Sequence, residues 1–355
     1  MNPLSHYPGR ARDSNELSLL PVLEPPLELP RAIRVGVVNN PRAGRNLARR
    51  KFRRILELLG EHRDVRHFEV FDEAGIHDAV DMLLRDGVEL LAVNGGDGTV
   101  QAVLTCLFRR RTTGFFPLLL VLPGGTTNMT AGDVGSRGDP ASVLRKVLED
   151  ARLGRLPGRL EHRPVLRLLS ADRRLDLYGM YFAAGAIYHG IRFCREWIQR
   201  AGARGETGPG ITLALVLGQI LFGPRGSLIP PLRMSGEVDG ETIEEGDFLG
   251  VQVTTLRRLL FGLRPFWGEG PAPLRFTAIR YAPQHALRVV LPIMRGRPNS
   301  FVTRENGYLS ANARCVRLEF EGGFALDGEL FESRKGVPLD LVNGVTAPFY
   351  RLPVR

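Results

Sequence analysis

Three short stretches of this 355-residue chain combine glycine, asparagine and threonine at spacings that suit phosphate chemistry. In Asn94-Gly95-Gly96-Asp97-Gly98-Thr99 the glycines let the backbone turn sharply and bring bare N–H groups up to a ligand, and a helix that follows presents its positive end to the same point. Gly95, Gly96, Gly98 and Thr99 are therefore candidate phosphate contacts. Asp97 is awkward beside a bare anion but sensible where Mg²⁺ bridges it to a polyphosphate, which makes it a candidate metal ligand. Pro123-Gly124-Gly125-Thr126-Thr127-Asn128 adds Gly124, Gly125, Thr126 and Asn128. The stretch from Asn39 to Asn46 adds Asn40, with Arg42 and Arg45 as groups able to neutralise charge. An ordinary strand-to-helix turn explains any one of the three; a set of three asks for more.

Each loop follows an apolar run, and the first two precede a helical pattern. Ile33–Val38, Leu90–Val93 and Pro117–Leu122 read as strands buried on both faces, as in a parallel sheet. Leu47, Phe52, Ile55, Leu56 and Leu59 recur at helical spacing after the first loop, and Val100, Val103, Leu104 and Leu107 do so after the second. Val65–Phe71 and Ile76–Leu84 supply a further strand and helix. In a doubly wound sheet the loops at the carboxyl ends of the strands share one edge, so the three would converge on one ligand. Residues 1–30, with six prolines and no sustained periodicity, read as a tail that packs loosely or not at all.

The composition is that of a globular chain, 43% apolar and 24% charged, with a net charge of +10. The only lysines are Lys51, Lys146 and Lys335, so the excess is arginine, which suits nucleotides, anionic lipid surfaces or nucleic acid. Cys106, Cys194 and Cys315 have no CxxC spacing and fit a reducing compartment; the seven histidines show no zinc-ligand pattern. With no signal-peptide pattern and no apolar run of spanning length, the chain reads as cytoplasmic.

In order, Asn40-Pro41-x-x-Gly44, Gly95-Gly96-Asp97-Gly98-Thr99 and Pro123 to Asn128 resemble the catalytic domain of the diacylglycerol kinase family, which includes bacterial soluble lipid kinases, sphingosine kinases and ceramide kinases. The resemblance implies an α/β fold: an N-terminal doubly wound domain like those of NAD kinase and phosphofructokinase, followed by a β-sandwich-like lipid-binding domain. It also implies ATP and Mg²⁺ as cofactors, a lipid such as diacylglycerol as acceptor, and a peripheral location at the inner membrane surface. No nucleic acid is expected, and a homodimer is left open. The chain departs from the family at Arg42 and Ala43, where lysine or serine is usual, and at Met129, where an acid usually follows Asn128. Asp133 is the nearest substitute for that acid, with a capping or turn role as the alternative.

The expected organisation is a tail (1–30), a nucleotide-binding domain (31–158), a β-rich lipid-binding domain (159–330) and a C-terminal segment (331–355) packing back on the first domain. Val165–Leu169, Leu175–Tyr178 and Leu287–Val290 read as strands. Tyr181–Gly190 is similar to the family's segment near the lipid site. Gly202–Gly210 is a loop or lid, and Ile211–Phe222 a buried or lipid-facing helix. Arg257–Trp267 mixes arginines with aromatics, which suits either an anionic membrane interface or core packing. The tripeptide Asp-Gly-Glu occurs twice, at Asp239 and at Asp327, and by itself signals a hairpin turn. The resemblance selects the second copy, with Asp327 accepting the hydroxyl proton, Asp97 ordering the metal and Glu329 joining it as a ligand. The rival readings are a small-molecule kinase of the NAD kinase type and a non-catalytic binder of membranes or nucleic acid.

Overall fold

A computed structural model describes residues 23–24, 27–44, 46, 49–110, 116–136, 138–201 and 229–352. Arg45, the Gly202–Gly210 loop and the Ile211–Phe222 run lie outside the described residues. The chain divides into two compact units, one of residues up to Pro164 together with Val345 onward, the other Val165–Gly344.

The first unit is built on parallel strands in the order Arg66–Glu69, Val35–Asn39, Leu90–Gly95, Leu118–Pro123, with Phe349 joining beside Leu119 in the same direction. Strands 35–39 and 90–95 are buried at every position, as continuous apolar runs require when helices cover both faces. Val37, Ala92 and Leu120 pack with Ile55 and Leu58 of helix Arg49–Glu61 and with Leu144 and Val147 of helix Pro140–Arg152. On the opposite face Gly36 lies so close to Leu83 of helix Glu73–Arg85 that a Cβ would collide with it. Asp72 and Asp139 start two of these helices by accepting the N–H of Gly75 and Ser142 at 2.8 and 3.1 Å, a contribution of about 1 kcal/mol each. The strand order reverses between 35–39 and 90–95, and that reversal opens a crevice at their carboxyl ends.

The proline-rich stretch is not wholly loose. Leu23–Glu24 pairs with Glu161 and Leu160, and Leu27–Glu28 with Leu156 and Arg155. Strand pairing needs backbone groups rather than side-chain periodicity, and Pro25 and Pro26, which lack N–H groups, fall between the paired residues. At the other end Tyr350 is buried and its hydroxyl accepts the Gly158 N–H at 3.0 Å, while the Leu352 N–H reaches Ser136 Oγ at 3.0 Å.

The second unit is antiparallel and β-sandwich-like. Glu241–Thr254 pairs with Tyr181–Gly185, Leu232–Val238 and Leu274–Arg280; Cys315–Phe320 pairs with Leu232–Val238 and, through Leu318, with Leu339. Phe182, Phe248, Phe276, Phe320 and Phe324 fill its core with Met234 and Leu318. Residues 331–344 belong here: Glu329–Ser333 pairs with Gly322–Leu326. Val165–Leu169 lies in strand Arg159–Ser170, whereas Leu287–Val290 is not a strand but part of helix Ala286–Met294. Its β-branched pair at 289–290 mimics a strand, but burial of Val289 and Ile293 with exposure of Leu287 and Leu291 is a spacing of four. Among the described residues no helix is long and apolar enough to cross a membrane.

Candidate active site

The first unit brings the three predicted loops to one edge. Strands 35–39, 90–95 and 118–123 run in register, with Asn39 beside Asn94 and Gly95 beside Pro123, so the loops leave side by side. Loop one is tied to loop two by the Asn40 N–H to Asn94 O at 2.9 Å and by Asn40 Nδ2 to Thr99 Oγ1 at 2.9 Å. Asn46, which the sequence reading passed over, donates from Nδ2 to Asn40 O at 2.8 Å and from its backbone to Gly124 O at 3.3 Å. Loop two is tied to loop three by the Gly124 N–H to Gly95 O at 3.1 Å.

Glycine is required where these loops touch. A Cβ on Gly125 would collide with the Cα of Gly96, and one on Gly44 with the Thr126 side chain. Backbone therefore lies on backbone between the second and third loops. Helix Asp97–Arg109 begins at this point with Gly96 as its N-cap, and no side chain caps it. Its first-turn N–H groups and positive end suit an anion. Behind the loops Asn94 Nδ2 donates to Asn39 Oδ1 at 3.1 Å, leaving the buried Asn39 Nδ2 and Asn94 Oδ1 without a partner among the described residues.

Asp97 takes a different part from the one its motif implies. Its carboxylate accepts the N–H of Thr130 at 2.8 Å and of Met129 at 3.1 Å, capping the short helix Met129–Val134. Burial pushes its pKa up, and these N–H bonds counter only part of that. Both oxygens are engaged, so Asp97 acts first as a clamp between loops two and three. Among the described residues no group of three or more His, Cys, Asp and Glu side chains is placed to hold a metal. Glu329, the second expected ligand, instead pairs with Arg195 at 3.0 Å. The donor set does not fit a resident divalent cation.

The other predicted side chains serve the loops as well. Asn128, in the left-handed region at φ 50°, folds its amide onto Gly125, accepting that residue's N–H at 2.7 Å and donating to its carbonyl at 2.5 Å. The Arg42 guanidinium turns to Phe71, donating to its carbonyl at 3.2 Å and lying 5.4 Å from its ring centre. Gly98 and Thr126 remain half-exposed at the loop rims. Asp133 is buried against Arg163 at 2.6 Å, so it serves an internal ion pair rather than replacing the acid absent at 129.

In the second unit Asp327 sits in the two-residue turn between strands Gly322–Leu326 and Glu329–Ser333. It is 3% exposed; Oδ2 accepts the Met180 N–H at 2.8 Å, and its own N–H donates to Tyr181 O at 2.8 Å. Gly179 makes this fit possible, since a Cβ there would collide with Oδ2. The Tyr181–Gly190 segment is a strand to Gly185 and a helix from Ala186. Tyr181 donates its hydroxyl to Gln252 Oε1 at 3.1 Å, and burial lowers the pKa of His189.

Residues 34–154 match the diacylglycerol kinase catalytic domain. A crystal structure of a diacylglycerol kinase from Bacillus anthracis str. Sterne superposes with a TM-score of 0.58 at 15% identity, covering 92% of this chain and 99% of that one. Two further structures from the same organism superpose at 0.62 and 0.60, each at 16% identity with the same coverage, so the likeness extends over both units as a fold. No curated protein sequence matches the chain.

Proposed function

We propose that the chain is an ATP-dependent lipid kinase that transfers the γ-phosphoryl group of Mg·ATP to a lipid hydroxyl, with diacylglycerol as the favoured acceptor. The uncapped, glycine-lined start of helix Asp97–Arg109, at the reversal point of a parallel sheet, carries this reading. Phosphoryl transfer asks the protein for positioning and charge neutralisation more than for covalent chemistry, and backbone N–H groups held rigidly by interlocked loops supply the first. Gly95, Gly96, Gly98, Thr99, Gly124, Gly125 and Thr126 line the phosphate path. Asn40, Asp97 and Asn128 fix the loops that form it, and Arg42 and Arg45 neutralise charge on the phosphates. Mg²⁺ enters with the nucleotide as part of the substrate, where it neutralises charge on the phosphate oxygens.

The lipid hydroxyl oxygen forms the new bond to phosphorus, the bond to the bridging oxygen breaks, and ADP leaves with that electron pair. Asp327 takes the hydroxyl proton, and its bond from the Met180 N–H fixes the carboxylate for that task. The location in this reading is cytoplasmic, with visits to the inner membrane surface where the acceptor resides.

Incubation of the full chain with γ-labelled ATP, Mg²⁺ and a bacterial lipid extract tests it. Label in a lipid that co-migrates with phosphatidic acid is the expected result. Label transferred to added NAD instead would move the chain to the small-molecule kinases, and no transfer to either would overturn the kinase reading.

A further inference from the structure

The second unit carries an apolar, cationic face that its own core does not use. Helix Ala286–Met294 spends its inner side twice over: Val289 and Ile293 pack with Tyr308 and Trp267, and Ala286 and Val290 pack toward Ile229 and Leu249. Leu287 and Leu291, one turn apart on the outer side, are 77% and 60% exposed. Phe261 is 71% exposed and held at φ 56°, an uncommon conformation for a bulky residue. Its segment is anchored to the end of the same helix by the Arg264 N–H to Met294 O at 3.0 Å, and Gly296 passes close to the carbonyls of Arg264 and Phe266.

The sequence that carries these side chains is strongly basic. From Arg257 to Arg297 the sequence contains eight arginines and one acid, Glu269. Arg264, Arg288, Arg295 and Arg297 are exposed, and the Arg288 guanidinium lies 5.1 Å from the Phe301 ring centre. Large apolar side chains that a water-facing helix has no reason to display, set among exposed arginines, complement a surface that is apolar below and anionic above. That is a bilayer of anionic lipid, with leucine and phenylalanine entering between headgroups and guanidinium groups meeting phosphates.

We infer that Phe261, Leu287 and Leu291, with Arg264, Arg288, Arg295 and Arg297, form the face by which this chain docks on anionic lipid. The inference deepens the lipid-kinase reading and rests on it for the reason a membrane is visited. It moves the contact from the Arg257–Trp267 stretch alone to the outer side of helix Ala286–Met294, in which Trp267 packs inward.

Sedimentation of the full chain with vesicles, in the absence of nucleotide, tests it. The chain should pellet with phosphatidylglycerol vesicles at low salt and bind phosphatidylcholine vesicles at least about tenfold more weakly, and raised salt should release it. Leu287→Gln with Leu291→Gln should weaken phosphatidylglycerol binding by about tenfold or more with an unchanged Tm, because neither side chain is packed. Arg295→Glu with Arg297→Glu should do the same at low salt, each arginine near an anionic surface being worth about fivefold. Equal binding by both double variants and the parent chain would overturn the inference, as would no binding by the parent. Light scattering that finds a dimer dissolved by the leucine substitutions would overturn it too and assign the face to a second copy. Because no nucleotide is present, a chain that docks but transfers no phosphate refutes only the kinase reading, and one that transfers phosphate without docking refutes only this inference.

Discussion

Asp239-Gly240-Glu241 and Asp327-Gly328-Glu329 are the same tripeptide in the same turn. Each closes a two-residue hairpin with both central residues at positive φ, 48° and 90° in the first and 49° and 85° in the second, and the flanking pairs are Val238 with Glu241 and Leu326 with Glu329. Asp and Gly are favoured there because they tolerate the left-handed region that this turn demands. The surroundings differ completely. Asp239 is exposed and accepts the N–H groups of Arg314 and Cys315 at 2.7–3.0 Å, a local service to a neighbouring strand. Asp327 is buried and receives the Met180 N–H through a gap that only Gly179 leaves open. A turn needs no buried carboxylate, so its presence in one copy marks a role beyond the turn.

The strongest attempt to break this comparison is to neutralise both acids. Asparagine keeps the turn geometry and can accept one N–H in either place. Asp327→Asn should lower kcat by about 10²–10⁴-fold with KM for ATP retained, as expected for loss of a general base, while Asp239→Asn stays near the parent in steady-state assays. Equal losses would show that the turns are equivalent. Gly179→Ala should come next: the added methyl group pushes the Asp327 carboxylate from the Met180 N–H, with kcat falling on the order of tenfold to a hundredfold and stability by about 1–3 kcal/mol by thermal melting. Asp239 has no such neighbour, so this variant acts on one turn alone.

Asp97 supplies a third buried or capping acid against which the pair can be judged. Asp97→Asn replaces one acceptor by an NH₂ group that faces a backbone donor, which should cost about 1–3 kcal/mol of stability. Because the folded-state pKa of Asp97 is raised, the folded form holds its proton more tightly than the unfolded chain does. Stability from this group is therefore full below the unfolded value and is lost as pH rises through the folded one. Tm measured for both proteins across the acidic range should show the parent's advantage over Asp97→Asn shrinking as pH rises; a constant gap would contradict a buried, charge-penalised carboxylate. The smallest contrast is between the glycines. A Cβ at Gly240 or at Gly328 meets nothing within 4 Å, so Gly240→Ala and Gly328→Ala should lose similar stability, about 1–2 kcal/mol each from backbone conformation alone. Unequal losses would mean that the two turns differ in more than their aspartates.

Much of the first unit could be read from the chain because its signals are local. An apolar run, a glycine-rich loop and a helical pattern each occupy a few consecutive residues, and their repetition carried the expectation of a shared edge. What escaped is long-range. Asp97 looks like a ligand within its own motif, and only the Met129 and Thr130 N–H groups, more than thirty positions on, make it a cap. Asn46 and Asn94 were visible within the loops, but nothing nearby indicated that amide side chains would stitch them together. Leu287–Val290 was misread because two adjacent valines imitate a strand over four residues, and the helical spacing needs Leu291 and Ile293 to show itself. The separation of Asp327 from Asp239 came from family resemblance, since the local sequences are identical and the Met180 N–H that distinguishes them lies 147 positions away.

The return of the chain to its first unit at Val345 bears on synthesis. The second unit is continuous in sequence, Val165–Gly344, but the first waits for residues made after it. Phe349 pairs beside Leu119, 230 positions earlier (349 − 119), so while the ribosome delivers what lies between, strand Leu118–Pro123 stands as an open sheet edge. At ribosomal speeds that interval is roughly ten to fifty seconds. Closing so long a loop is slow as well as late, so the nascent first unit keeps that edge open until its last strand arrives.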